Sequence, residues 1–148
     1  MSETNLVATE IIRTIPAVMR LVAAELRKQQ SQLVPAQLGV LGALAERSCN
    51  LSELAELSGV SLPTMSGTVS HLVAQGLVKR SRAAHDRRMI MLELTPDGRT
   101  QLNHLGQHII GHLADLLAPL SPAELDTLQN GLRTLQKVFP PWEPFKQD

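Results

Sequence analysis

Two groups of side chains between Ser61 and Arg88 have the chemistry to bind a polyanion. Lys79, Arg80, Arg82, Arg87 and Arg88 place five of the chain's 14 Lys and Arg in one short run. Thr64, Ser66, Ser70 and His71 form the polar side of a stretch in which Met65, Val69 and Leu72 recur at helical spacing. Guanidinium groups pair with phosphate and enter narrow minor grooves, and short hydroxyls reach phosphates or base edges at close approach. A second pattern is His104, His108 and His112, every four residues on one helix face, a spacing at which imidazoles can share a metal. A third is Cys49, beside Arg47, a cation that lowers a thiol pKa. The chain has no glycine-rich phosphate loop, no H-E-x-x-H and no nucleophile elbow, so no enzyme activity is expected.

The elements that must hold the first two groups are readable. A short helix is expected from Leu51 to Leu57, with Asn50 and Glu53 spaced as a capping box. Gly59 can take the left-handed conformation that ends it. Ser61 opens a second helix, with Pro63 in the first turn, where a missing N–H is harmless, and Gly76 closes it. Helix, glycine turn and second helix make a helix-turn-helix pattern. Leu77–Arg80 and Met89–Leu94 then read as two strands around a polar, basic loop, Ser81–Arg88, which is a β-hairpin wing. Asp86 is expected to pair with Arg80 or Arg82 and so to fix the wing loop.

Longer helices flank this unit. The first is expected over about residues 5–30, with Ile11, Ile15, Val18, Val22 and Leu26 in one stripe and Pro16 as a potential kink. A second runs from Pro35 to about Arg47. Thr95 caps a fifth helix that ends near Leu117. Ser121-Pro122-Ala123-Glu124 is a capping box for a sixth, ending near Val138. The closing FPPWEPFKQD is too proline-rich to be helical. The fifth and sixth helices carry more leucine and isoleucine than a small domain needs, which implies a partner surface, most economically a second copy of the chain.

Composition narrows the partner. Formal net charge is zero over 148 residues, unlike a general polyanion binder, so binding belongs to one basic edge. There is no Tyr, and the two Phe and the single Trp, at 139, 145 and 142, lie in the last ten residues. Grips on single strands usually stack bases on aromatic rings, so duplex DNA fits better than RNA. One cysteine excludes an internal disulfide and suits a reducing cytoplasm; no signal pattern or membrane span is expected.

Three stretches in order resemble the MarR family of bacterial winged-helix transcription regulators. They are SLPTMSGTVSHLVAQGLVKR from Ser61 to Arg80, the D-x-R at Asp86-Arg87-Arg88, and the L-T-x-x-G at Leu94 to Gly98. With the flanking helices, the resemblance covers nearly the whole chain. It implies a mainly α fold with a small β-hairpin wing: a winged helix-turn-helix DNA-binding lobe over residues 35–95 and a helical dimerisation lobe from residues 1–34 and 96–148, within a single domain. The implied recognition-helix contacts are Ser61, Pro63, Thr64, Ser66, Gly67, Ser70 and His71. The implied wing contacts are Arg82, Arg87 and Arg88, with Arg88 as the groove residue and Asp86 and Arg80 structuring the wing. The family often has Arg at the position of Gly67 and an Asp-Arg pair at Ser70-His71, so the usual guanine contact is absent here.

The expected function is that of a homodimeric, cytoplasmic repressor on a pseudo-palindromic duplex operator, released by a small organic anion or phenolic effector in a cleft among the first, second and fifth helices. No cofactor is expected. The alternative is a metal- or redox-responsive sensor of the same fold, using His104, His108 and His112 or Cys49. Zinc-sensing relatives add carboxylate or thiol ligands from the segment joining the first two helices, whereas residues 30–39 here contain no Cys, His, Asp or Glu. Peroxide-sensing relatives hold a reactive Cys with tyrosines near the first helix, and Cys49 has neither feature. A protein-binding winged helix without DNA is a third reading, disfavoured by the Lys79–Arg88 cluster.

Overall fold

The computed structural model describes residues 1–141, so Trp142 and Phe145 lie outside the described residues. The chain divides into two compact units, Met1–Pro35 and Ala36–Asp148. The first is essentially one helix, α1 (Glu3–Lys28). It begins earlier than the apolar stripe suggests, because the Ser2 hydroxyl accepts the Asn5 N–H at 3.2 Å and caps it. Pro16 lies inside this helix, which continues through it. Gln30, with φ 56, turns the chain left-handed, and the Ser31 N–H returns to the Leu26 carbonyl at 3.0 Å.

The second unit holds α2 (Pro35–Glu46), α3 (Leu51–Ser58), α4 (Leu62–Ala74), the strands β1 (Val78–Arg82) and β2 (Ile90–Leu94), α5 (Pro96–Leu117) and α6 (Pro122–Leu135). Mainly helical with a two-stranded antiparallel hairpin is the observed architecture. Leu38, Val40, Leu41, Gly42, Ala43 and Leu44 are all buried, so α2 is enclosed on most sides. Leu54, Met65, Val69, Leu72, Val78, Leu92, Leu102 and Leu105 are buried as well.

Local signals explain the helix-turn-helix. Asn50 Oδ1 accepts the Glu53 N–H at 2.8 Å, and Glu53 Oε1 accepts the Asn50 N–H at 3.4 Å, which is the expected capping box. Gly59, at φ 65, ends α3, and Gly76, at φ 75, turns the chain out of α4 into the hairpin. β1 runs to Arg82 rather than stopping at Arg80, because Ser81 and Arg82 pair with Met91 and Ile90. A strand's end is set by its partner, and the partner is not a local signal.

Cys49 is the larger departure. It forms a β-bridge with Leu92: its N–H donates to the Leu92 carbonyl at 3.2 Å and its carbonyl accepts the Leu92 N–H at 2.7 Å. One residue of the α2–α3 connection thus acts as a third strand along β2.

At the far end of β2, Thr95 closes the hairpin onto α5. Its hydroxyl donates to the Gly76 carbonyl at 2.7 Å and accepts the Gly98 N–H at 2.9 Å, and its own N–H donates to the Leu77 carbonyl at 3.1 Å. Gly98 is required there. A Cβ at Gly98 would overlap the Leu77 carbonyl oxygen and lie 2.8 Å from Leu94 Cδ1. The α6 helix is capped as expected by Ser121 and Glu124, but it ends at Leu135, short of Val138, and buries none of its side chains.

Candidate nucleic-acid interface

Strand alternation sorts the basic run into two faces. Lys79 and Ser81 point to one side, where both meet Glu93: Lys79 Nζ lies 3.4 Å from Oε2 and the Ser81 hydroxyl donates to Oε1 at 3.2 Å. Arg80 and Arg82 point to the other. Arg80 Nη2 donates to the Ser70 hydroxyl at 3.2 Å, tying β1 to the polar side of α4. The expected partner of Asp86 is therefore not found. Arg80 is engaged by Ser70, and Arg82 Nη1 donates to the Arg87 carbonyl at 2.6 Å, bracing the loop through the backbone.

Asp86 instead holds Arg88. Its Oδ1 accepts the Arg88 N–H at 3.0 Å and lies 3.5 Å from Arg88 Nε. The Asp86 carbonyl also accepts the Met89 N–H at 3.0 Å, so the D-x-R spacing closes a tight turn on itself. The Arg88 side chain is 94% exposed, and such a pair contributes at most about 1 kcal/mol to the fold. Its consequence is orientation: Arg88 is held at its base and free to act at its tip. Of the expected wing contacts, Arg88 and Arg87 stay exposed, and Arg82 also serves as a brace.

On α4, Met65, Val69 and Leu72 face the core, and Pro63, Thr64, Ser66, Gly67, Ser70 and His71 are exposed. Ser61 is the cap: its hydroxyl accepts the Thr64 N–H at 3.3 Å and donates to Thr64 Oγ1 at 3.0 Å. Ser66 from α4 and Arg80 and Arg88 from the wing line one cavity of about 440 Å³, with Ser52 from α3 and an apolar floor including Val69 and Leu92. The helix and the wing therefore present their polar groups to one opening. The sequence did not point to the Ser52 edge, since nothing local says that α3 faces the wing.

The other candidates lie elsewhere. His104, His108 and His112 are exposed on α5, and the His104 and His108 rings meet edge-on with centroids 4.6 Å apart. Among the described residues no group of three or more His, Cys, Asp or Glu is placed to hold a metal. Cys49 is 1% exposed. Burial pushes its thiol pKa above the ordinary 9.0, Arg47 pulls it down, Glu53 pushes it up, and the net direction is up. The activation expected from Arg47 is outweighed by desolvation. Among the described residues no helix is long and apolar enough to cross a membrane.

Comparison with known proteins agrees with this geometry. Residues 31–89 match the model of the MarR family. Over 91 residues, or 60% of this chain, the sequence is 34% identical to the uncharacterized HTH-type transcriptional regulator YfiV of Bacillus subtilis, and the match spans 56% of that protein. The fold is that of RV1404 from Mycobacterium tuberculosis, with TM-score 0.83 and 21% identity over 93% of this chain and 95% of that one. It is also that of Bordetella bronchiseptica BpsR, whose DNA binding is regulated by 6-hydroxynicotinic acid, with TM-score 0.71 and 24% identity over 92% and 96%.

Proposed function

We propose, for a chain whose residues 31–89 match the model of the MarR family, the role of a duplex-DNA-binding transcription regulator of that family in the cytoplasm. The observation that carries the reading is the shared opening between α4 and the wing. Ser66 of α4 and Arg80 and Arg88 of the hairpin border it, and the Arg80–Ser70 hydrogen bond holds the two elements in register. On this reading α4 lies in a major groove, and Arg88 enters the adjoining minor groove, where the negative potential favours it. Phosphate contacts from Arg82 and Arg87 fix position; Thr64, Gly67, Ser70 and His71 face base edges.

The protein acts as a homodimer on a pseudo-palindromic operator. Support comes from α6, which buries no side chain and leaves Leu125, Leu128 and Leu132 between 41% and 47% exposed. Repression relieved by a small organic or phenolic anion is the regulatory part of the reading. Support comes from the 440 Å³ opening, a volume typical of ligand sites, with two guanidinium groups at its rim and Val69 and Leu92 at its floor. An anion seated there, in place of the cleft among the first, second and fifth helices expected from the sequence, engages Arg88 and competes directly with DNA.

The test is a titration of fluorescent duplexes at fixed physiological salt. A sequence selected from a random pool should bind at least about 1,000-fold more tightly than a scrambled duplex. Equal binding of the two would overturn the reading.

A further inference from the structure

Gly67 sits inside α4 without a left-handed backbone, and a Cβ built on it meets nothing within 4 Å. Neither conformation nor packing within the chain calls for glycine there, and glycine weakens a helix interior relative to alanine. Gly98 is the contrast, since its neighbours leave no room for a side chain.

The place of Gly67 on α4 gives the reason. It lies opposite the buried Met65, Val69 and Leu72, at the crest of the exposed face, with Pro63, Ser70, His71 and Ala74 around it. From Leu62 to Ala74 the helix contains no Arg, Lys, Asn, Gln, Asp or Glu. The side chains that read guanine or adenine by paired hydrogen bonds, or cytosine through a carboxylate, are thus absent from it. The His71 imidazole, hydroxyls, which accept more than one base, and apolar surface remain, and of these only apolar surface lies at Gly67 itself. The base-edge feature that apolar surface recognises in the major groove is the thymine C5-methyl.

We propose that Gly67 is a specificity-determining position at which the absent side chain admits a thymine methyl against the backbone of α4, so that the operator half-site carries T·A at the step beneath it. The inference rests on the DNA-binding reading above and says which bases are read. The wing agrees with it, because Arg88, held at its base by Asp86 and 94% exposed, favours the narrow minor groove of A·T pairs.

The experiment combines one protein variant with one base analogue. Duplexes are selected with the wild type, and the recurrent major-groove thymine is then replaced by deoxyuridine, which removes only the methyl. Gly67→Ala should melt at a higher temperature than the wild type, because alanine favours the helix and its methyl meets open space. It should nevertheless bind the thymine operator about 10-fold or more weakly, and on the deoxyuridine operator the two proteins should agree within about two-fold. The inference falls if Gly67→Ala binds the thymine operator as well as the wild type does, if its loss is the same on both duplexes, or if the selected sites place G·C pairs under α4. If the wild type enriches no duplex, the DNA-binding reading itself falls, and that outcome is separable from the other three.

Discussion

Between Ser61 and Gly98 each element is held by another. Arg80 reaches from β1 to α4, Cys49 pairs along β2, and Thr95 locks the hairpin to the start of α5. Between Pro122 and Leu135 the opposite holds: α6 has a complete capping box and a leucine stripe, yet buries nothing. Local signals are enough to start α4 and α6 alike. Among the described residues, only the first region is supplied with the surface that its apolar side needs. The difference separates a lobe finished by its own contacts from a helix that is finished, on our reading, by a second copy.

The largest expected effect breaks the finished lobe. Gly98→Val should remove about 3 kcal/mol of stability, because its side chain must displace the Leu77 carbonyl and the Leu94 side chain. Urea unfolding followed by circular dichroism would show it; an unchanged midpoint would mean that α5 can move away from the hairpin at little cost.

Next comes the unfinished helix. Leu128→Asp should weaken dimerisation by about 2–3 kcal/mol, consistent with a charge placed in a buried contact. Sedimentation at micromolar concentration should then find monomer where the wild type is dimer. A wild type that is already monomeric, with full helicity, would erase the contrast between the two regions.

A smaller effect sharpens the account of the lobe. Arg88→Ala should weaken operator binding by about 1–2 kcal/mol and leave folding unchanged, since its pair with Asp86 is exposed. Titrations on A·T and G·C flanked operators should show a larger loss on the former.

The smallest expected effect is none. Stoichiometric zinc should leave operator affinity unchanged in the wild type and in His108→Ala, because the described residues bring no third ligand to the α5 histidines. A ten-fold zinc response lost in His108→Ala would instead make the metal-sensor reading the leading one.

The same contrast explains what the sequence could show. The turns at Gly59 and Gly76 and the caps at Asn50, Ser61, Thr95 and Ser121 are local chemistry, and the helix starts fell where those residues predicted. The partner of Asp86 did not. Arg80, Arg82 and Arg88 all lie within a few positions of Asp86, and the alternation of β1 sends Arg80 to Ser70 and leaves Arg88 to Asp86. Cys49 looked like a loop residue near a cation, because its pairing with Leu92 spans more than forty positions. The recognition helix was legible as a helix. The resemblance also marked Gly67 as a contact position, but the open space around it was not legible, since it has no signature in sequence.

No linker separates the wing from α5: β2 ends at Leu94, and Thr95 is already the cap of the next helix. With 22 residues, α5 is a rod of about 33 Å, and three hydrogen bonds of Thr95 tie the hairpin to its end. Such a joint transmits rotation with little slack. A tilt of about 5° in α5 would swing the hairpin tip, about 17 Å from the joint, by about 1.5 Å. Hydrogen bonds do not survive an offset of that size. On the proposed DNA-binding reading, the Thr95 clamp makes the long helix a lever, and a small angular displacement of α5 would be enough to lift Arg88 out of the groove proposed for it.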